Sequence, residues 1–353
     1  MKSILFKIFT FIVINFIYPI FSNNLKVETI NINIDRLQNK DDNDQINKNK
    51  KQQKPIKIIQ LSDIHYDKIP LRITDKFLEK IVKTTNDLKP DLILITGDLI
   101  ERDPIPISQL YNKHLSKLKS KYGVYSILGN HDYKNSTSPE IIKNALKNTN
   151  INLLENEIVY PMGKENDDGS GGIQLIGFDN YAKRDKKQMD ELNNEIKSSS
   201  NENLIKLALV HNPDHVIQML LKDNDLNMDI ALCGHSHGSQ ICFPSFNFLG
   251  FKIGSGGPVM PHFESLLQKI PFKFIRDIKY PGKKTLKYWQ YGKGYHKIMN
   301  NDNLLIGAHN SNNSNNNNNN ITKLNLYVNR GLGTHPPVRL FCDPEITVIN
   351  IYQ

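Results

Sequence analysis

The sequence predicts a layered α/β domain in which helices alternate with strands, and three observations predict it. Five short apolar runs each end almost at once in Asp, Asn or His. Between them lie segments with apolar residues at helical spacing. The composition, 39% apolar and 23% charged over 353 residues, suits a globular chain able to bury a sizeable core. It is too apolar for a disordered chain and too polar for a multi-span membrane protein. A prior of roughly 150 residues per domain would allow two domains, yet one accounts for the continuous rhythm better.

The N-terminal segment stands apart from that rhythm. Residues 1–22 place Lys2 and Lys7 around the start of a 14-residue apolar run, Ile8 to Phe21, broken by Asn15 and Pro19. A membrane span needs roughly 20 such residues, whereas a signal peptide needs roughly 7–15. We read residues 1–22 as a signal peptide, with an uncleaved signal anchor as the alternative. Either sends the chain into the secretory pathway, secreted or lumenal in the first case and membrane-anchored in the second. Residues 23–55 hold a half-buried strand, with Ile30, Ile32 and Ile34 alternating with Asn31 and Asn33. A disordered polar loop follows over 35–54.

The main domain is expected over 56–353. Ile56–Leu61 is apolar and ends in Ser62-Asp63-Ile64-His65. A helix is expected over Thr74–Leu88, from Phe77, Leu78, Ile81, Val82 and Leu88, with Pro90 beyond it. Leu92–Ile95 leads into Thr96-Gly97-Asp98. A second helix over about Ile107–Lys121 precedes Val124–Leu128, which ends in Gly129-Asn130-His131-Asp132. Ser138-Pro139 reads as an N-cap with proline at the first helical position, opening Glu140–Leu146. Leu207–Val210 ends in His211, and Asn212-Pro213 opens a helix over Asp214–Leu221 by the same device. Ile230–Cys233 ends in Gly234-His235-Ser236-His237-Gly238. An asparagine-rich loop insertion occupies about 308–322.

Charge and cysteines bound the partners. The net charge of +9 comes from lysines scattered among asparagines, with no basic stripe interleaved with aromatics, so no nucleic acid is expected. Three cysteines, Cys233, Cys242 and Cys342, allow at most one bridge. Cys242 with Cys342 is the candidate pair, and three buried free thiols is the alternative. Glycosylation sequons stand at Asn135, Asn312 and Asn320.

In an open α/β sheet, ligands bind outside the carboxyl ends of the strands. Residues from Asp63 to His237 would therefore converge at one edge. Five of the eleven histidines fall at such strand ends, and His235-x-His237 can turn two imidazoles to one cavity. Taken singly, each piece reads equally as a polar turn or a satisfied surface histidine; the conjunction points to a metal centre.

The order Asp-x-His, Gly-Asp, Gly-Asn-His-Asp, His, Gly-His-x-His over Ile56–Gly238 resembles the calcineurin-like metallophosphoesterase superfamily. The resemblance implies a four-layer α/β/β/α sandwich with a dinuclear metal site at the C-terminal ends of the strands. It implies that Asp63, His65 and His237 hold one metal, that Asn130, His211 and His235 hold a second, and that Asp98 bridges them. Two divalent ions (Fe, Mn, Zn or Mg) are expected, since carboxylates and imidazoles without thiolate suit these metals. The implied reaction is attack on phosphorus by a metal-bridging hydroxide. Two such ions, less Asp63, Asp98 and one hydroxide, leave about one positive charge for a phosphate anion.

His131 is implied to protonate the leaving oxygen. Glu101 is the candidate to orient it, with Asp132 competing for that role. Purple acid phosphatases carry a ligating tyrosine where Glu101 stands, and protein Ser/Thr phosphatases continue as Asp-Arg-Gly, so neither branch fits. The segments Tyr327–Thr334, Pro337–Leu340 and Pro344-Glu345-Ile346 resemble the YkuE/YaeI-like phosphodiesterase branch, although Asp343 departs from its usual arginine. Arg330 is a candidate substrate contact in that segment, as is the ligand Asn130, beside the reading of Tyr327–Leu332 as a closing strand. A phosphodiesterase is the expected activity. A broad-specificity phosphomonoesterase, or a non-catalytic metal-binding scaffold of the same fold, are the alternatives. Phe246–Lys279 mixes aromatics with lysines, which fits a lid packed on the core or a docking face for a lipid-linked or amphiphilic phosphoester at a membrane surface.

Overall fold

The computed structural model describes residues 24–34, 54–69, 72–163, 172–179, 191–192, 194–196, 204–222, 228–243, 246–248, 251–253, 285–299, 322–334 and 339–353. Residues 1–22, the polar loop from 35, the asparagine-rich insertion and most of Phe246–Lys279 lie outside the described residues, and so do Asn312 and Asn320.

Sequence periodicity explains the layers. The strands β2 (Ile56–Leu61), β3 (Leu92–Thr96), β8 (Ile205–Leu209) and β9 (Ile230–Cys233) are buried on both faces. Side chains alternate along a strand, so neighbours enter different cores. Ile58, Leu92, Leu94, Leu207, Leu209, Ile230 and Leu232 share one core. Ile59, Leu61, Ile93 and Ile95 turn the other way, onto the helix α1 (Asp75–Asp87) through Phe77, Leu78, Ile81 and Val82. Ala208, Val210, Ala231 and Cys233 pack instead with Val216, Ile217 and Leu220 of α4 (Pro213–Lys222). Three apolar cores separate four layers, helices–sheet–sheet–helices, as the α/β/β/α expectation requires.

The first sheet has the order β1-β14-β2-β3-β4-β5, with β1 (Lys26–Asn33), β4 (Val124–Ile127), β5 (Ile151–Leu153) and β14 (Glu345–Tyr352). Its β2, β3, β4 and β5 are parallel, while β14 runs antiparallel to β2 and carries β1 in parallel at the edge. The second sheet has the order β12-β13-β9-β8-β7-β6, with β6 (Glu157–Val159), β7 (Ile173–Gly177), β12 (Gly294–Met299) and β13 (Thr322–Val328). Strands β7, β8, β9 and β13 are parallel. A hairpin pairs β10 (Phe246–Phe248) with β11 (Phe251–Ile253).

Two details differ from the sequence reading. The helix expected to Lys121 ends early: α2 spans Ile107–Lys113 and a 3-10 turn follows at Leu115–Lys117. His114 leaves helical geometry (φ −129°, ψ −65°) and places Nε2 3.0 Å from Asp75 Oδ1, so a tertiary contact overrides helical spacing. The third helix, α3 (Ser138–Leu146), begins one residue early, and its preceding Thr137 makes no side-chain capping bond. By contrast, Thr74 caps α1 as a good N-cap should, accepting from Phe77 N at 3.2 Å. Cys233, Cys242 and Cys342 are all buried and present as thiols.

Candidate metal centre

Parallel pairing brings the strand ends together. Asp63 and His65 follow β2, Asp98 follows β3, and Asn130 and His131 follow β4. From the other sheet, His211 follows β8 and His235 and His237 follow β9. The backbone bends sharply to aim them. Asp63, His65, Asp98, His235 and His237 all have φ between 49° and 68°, a region that disfavours side chains and that marks functional sites. Two glycines permit close approach: a Cβ at Gly129 would overlap Asp98 Oδ1, and one at Gly234 would overlap Asp63 Oδ2.

The sequence-predicted ligands form two clusters. In one, His65 Nε2 and His237 Nε2 lie 2.9 Å apart, with Asp63 Oδ1 3.8 Å from the first and 3.5 Å from the second. In the other, Asn130 Oδ1 lies 3.1 Å from His211 Nε2 and 2.7 Å from His235 Nδ1. Asp98 Oδ2 stands between them, 3.5 Å from His65 Nε2 and 3.2 Å from His211 Nε2. Its other oxygen accepts from His131 N at 2.7 Å.

The arrangement fits divalent cations on one observation about tautomers. A ligating imidazole donates its outer N–H to a carbonyl or carboxylate, leaving a lone pair inward. His211 Nδ1 donates to Thr96 O at 2.7 Å, and His235 Nε2 donates to Thr285 O at 3.0 Å. His65 Nδ1 faces Glu101 Oε2 at 3.0 Å. The inward atoms are then Nε2 of His65, Nε2 of His211 and Nδ1 of His235, which are the atoms that converge. His237 differs, because its Nδ1 lies 3.3 Å from the Arg339 guanidinium.

Electrostatics point the same way. Burial works against the charge on His65, but Asp63 and Glu101 outweigh it and push the imidazole up to about 9. Burial likewise opposes His211, yet Asp98 pulls it up to about 10. Burial, reinforced by His211, brings His235 down to about 4. Asp63 and Asp98 stay below the usual carboxylate range despite burial, because imidazoles surround them. This pocket attracts positive charge.

His131 lies beside the clusters, its ring 4.5 Å from that of His65. Its Nδ1 is 2.8 Å from Glu101 Oε2 and 3.1 Å from Glu101 O. Glu101 is thus the carboxylate in contact with the His131 ring. Burial raises its pKa, but His131 and His65 hold it well below the carboxylate range. Asp132 does something else. It is fully buried and accepts from Gly129 N at 2.9 Å, Ile100 N at 3.0 Å and Leu99 N at 3.2 Å. Burial and Asp98 push it up to about 7. Its contacts tie two loops together through backbone N–H groups. Arg330 pairs its guanidinium with Glu345 and lies 3.5 Å from Glu28.

Other contacts were not anticipated. Lys134 Nζ lies 2.6 Å from His131 Nδ1 and 3.3 Å from Glu101 Oε1. Arg339, 2% exposed, donates to Gly333 O at 2.6 Å and Gly331 O at 3.1 Å behind His237. Asp214 accepts from Lys287 N at 2.6 Å and Tyr288 N at 2.9 Å, which fixes the segment whose Thr285 carbonyl holds His235. Arg339 sits within the Pro337–Leu340 segment already singled out, whereas Lys134 lies two residues beyond Asp132 and carried no signal.

A family model described as calcineurin-like phosphoesterase matches residues 56–239. The metallophosphoesterase YkoQ of Bacillus subtilis is 30% identical across 69% of this chain and 80% of its own length. Phosphodiesterase YaeI of Escherichia coli is 30% identical across 54% of this chain and 63% of its own. The UDP-2,3-diacylglucosamine pyrophosphatase LpxG of Chlamydia muridarum is 26% identical across 54% and 65%. The chain spans about half the length of other curated relatives it matches, 54% of one and 46% of another.

Proposed function

The chain belongs to the calcineurin-like phosphoesterase family, and from that footing we propose that it is a phosphodiesterase using two divalent cations. The observation that carries the reading is Asp98 Oδ2, set between His65 at 3.5 Å and His211 at 3.2 Å. One carboxylate oxygen thereby joins two clusters of inward donors. Asp63, His65 and His237 would hold one cation, Asn130, His211 and His235 the other, and Asp98 both. Bound cations supply Lewis-acid charge toward the phosphoryl oxygens and make water acidic enough to react near neutral pH.

The chain's own residues do the rest. Glu101 Oε2 at 2.8 Å and Lys134 Nζ at 2.6 Å both meet His131 Nδ1, so the ring keeps one orientation. Protonated on both nitrogens, His131 passes a proton from Nε2 to the departing alkoxide. Glu101 stabilises the imidazolium as it waits. Asp132 holds the loops of His131 and Asp98 in register through backbone N–H groups. No side-chain nucleophile is required.

A diester rather than a monoester is favoured by likeness to a protein named phosphodiesterase and to one named pyrophosphatase for a diacylated sugar nucleotide. Both names imply phosphorus bearing two substituents. The second name, with the aromatic and lysine residues of 246–279, supports an amphiphilic or lipid-linked substrate at a membrane surface. The experiment compares an aryl phosphodiester with the matching monoester after chelator treatment and manganese addition. The expected result is preference for the diester, lost in His131→Ala. Preference for the monoester would make the chain a general phosphatase, and turnover of neither by protein that retains two metals would leave the scaffold.

The secretory reading is also a proposal. It rests on the 1–22 segment and on Asn135, which is exposed, with its Oδ1 3.2 Å from Thr137 Oγ1 within the sequon. Among the described residues, no helix is long and apolar enough to cross a membrane. Expression in a secretory host should give protein that shifts on glycosidase treatment, and Asn135→Gln should reduce the shift. An unshifted protein retained in the cytosol would refute it.

A further inference from the structure

Two buried cysteines meet behind the metal loop. Cys242 is 2% exposed and Cys342 is 1% exposed. Both thiols face one carbonyl: Cys242 Sγ is 3.3 Å from Gly238 O and Cys342 Sγ is 3.5 Å from it. Cys342 Sγ lies 3.4 Å from the carbonyl of His237 itself. Their backbones are already in register. Ile241 and Leu340 form a parallel bridge, with Cys242 N donating to Leu340 O at 2.9 Å and Leu340 N donating to Gln240 O at 2.7 Å.

We propose that Cys242 and Cys342 form a disulfide that staples the loop carrying His235 and His237 to the C-terminal segment carrying Arg339. Cys233 is excluded from the pair, since it belongs to β9 and packs in the core beneath α4. A thiolate metal site is the other use of paired cysteines, and it needs further donors. Among the described residues, no candidate metal-binding group contains a cysteine.

The staple has a consequence for the site. Arg339 Nη1 donates to Cys342 O at 3.2 Å, while its Nη2 lies 3.3 Å from His237 Nδ1. Fixing Cys342 fixes the arginine behind that imidazole. The covalent link also closes a long stretch of chain, from Cys242 to Cys342, and long loops lose the most unfolded-state freedom when cross-linked.

The bond forms by exchange with a small disulfide such as oxidised glutathione. The Cys242 sulfur attacks one glutathione sulfur, giving a mixed disulfide and releasing one glutathione thiol. Lys293 Nζ, 3.2 Å from Cys242 Sγ, steadies the attacking anion. Cys342 then attacks Cys242 Sγ and releases the second glutathione thiol. Two protein thiols are oxidised, one glutathione disulfide is reduced, and the two thiol protons end on the two glutathiones. Because both sulfurs are buried, the exchange proceeds readily while the chain folds and slowly afterwards.

The test uses the whole chain, both natively folded and refolded from denaturant, across a series of reduced-to-oxidised glutathione ratios. Samples are denatured, alkylated and mapped by mass spectrometry. The expected result is protection of two thiols, a peptide linking Cys242 to Cys342, and Cys233 alkylated throughout. Amide exchange over 238–242 should slow at least tenfold in the oxidised form, and Cys242→Ser should abolish both effects. Three alkylated thiols in both preparations, glutathione adducts alone, or a link through Cys233 would overturn the proposal. So would the expected link with unchanged amide exchange, because the loop would not then be stapled.

Discussion

The two clusters of the site are built from the same imidazole chemistry but are not equivalent. The Asp63 cluster is fully enclosed, with Asp63 and His65 both 0% exposed and Arg339 and Glu101 behind its imidazoles. It includes a carboxylate of its own. The Asn130 cluster borrows its only negative charge from Asp98, and its outer hydrogen bonds end on the backbone carbonyls of Thr96 and Thr285. An anionic, enclosed set binds a divalent cation more tightly than a neutral, more open one, because charge in a low-dielectric site is screened less. The first cluster should act as a permanent seat and the second as an exchangeable one.

The largest effect should come from the residue that both clusters share. Asp98→Asn removes the charge that holds His65 and His211, so activity should fall by more than about 10⁴-fold, beyond the usual range for losing a proton donor. Metal content should drop in both seats. Retention of two metals per chain would show that Asp98 does not join them. Next, His131→Ala should lower kcat by about 10²–10⁴-fold while metal content stays unchanged, since its Nδ1 is engaged by Glu101 and its backbone N, which the substitution keeps, is what meets Asp98. Loss of metal together with activity would make His131 a ligand.

Glu101→Gln comes third. It keeps the shape but loses the charge beside His65 and His131, and a loss of about 10–100-fold is expected for such an outer partner. The effect should fall on kcat more than on KM, because Glu101 acts through His131. Equal losses in the two constants would argue for direct substrate contact.

What could be read in advance follows from the same asymmetry. The clustering of these residues was legible because Asp, Asn and His directly after apolar runs are unusual, and the strand ends fix where such residues go. The outer partners were less legible. Thr96 and Thr285 act through carbonyls, which every residue has, so residue type carries no signal. Arg339 reaches His237 across 102 positions, a contact set by sheet order rather than by local pattern. Arg330, nearer the glycine turn, likewise pairs with Glu345 at the start of β14. The shortened α2 has the same cause, since His114 answers to Asp75 rather than to its own helix.

A smaller, sharper test alters only the weaker seat. Asn130→Asp gives the second cluster its own carboxylate, so cation affinity there should rise about tenfold, narrowing the gap between the seats. The net charge facing an anionic phosphoester falls by one, so KM should rise even as metal is held better. Titration with a chelator, followed by metal counting, should show two separate releases in the natural sequence and a merged release in the variant. Two equal releases in the natural sequence would remove the distinction between the clusters.

The smallest expected effect lies outside the site and checks that such changes are local. Asp75 accepts from Tyr66 Oη at 2.7 Å and Lys113 Nζ at 2.9 Å, with His114 Nε2 at 3.0 Å. Burial raises its carboxyl, but Tyr66, Lys113 and His114 outweigh that and lower it from 3.8 to about 2. The folded chain thus binds the proton less readily than the unfolded one. Its stabilisation is complete above about pH 4 and disappears as pH falls through about 2. The side chain is 37% exposed, so solvent screening keeps the contribution below about 1 kcal/mol. Asp75→Asn should therefore lower the melting midpoint by at most about 2 °C at neutral pH, an effect that fades as pH falls through about 2. Activity per folded molecule should not change, although Tyr66 adjoins His65. A fall in activity at unchanged stability would show that this cluster, too, positions the enclosed seat.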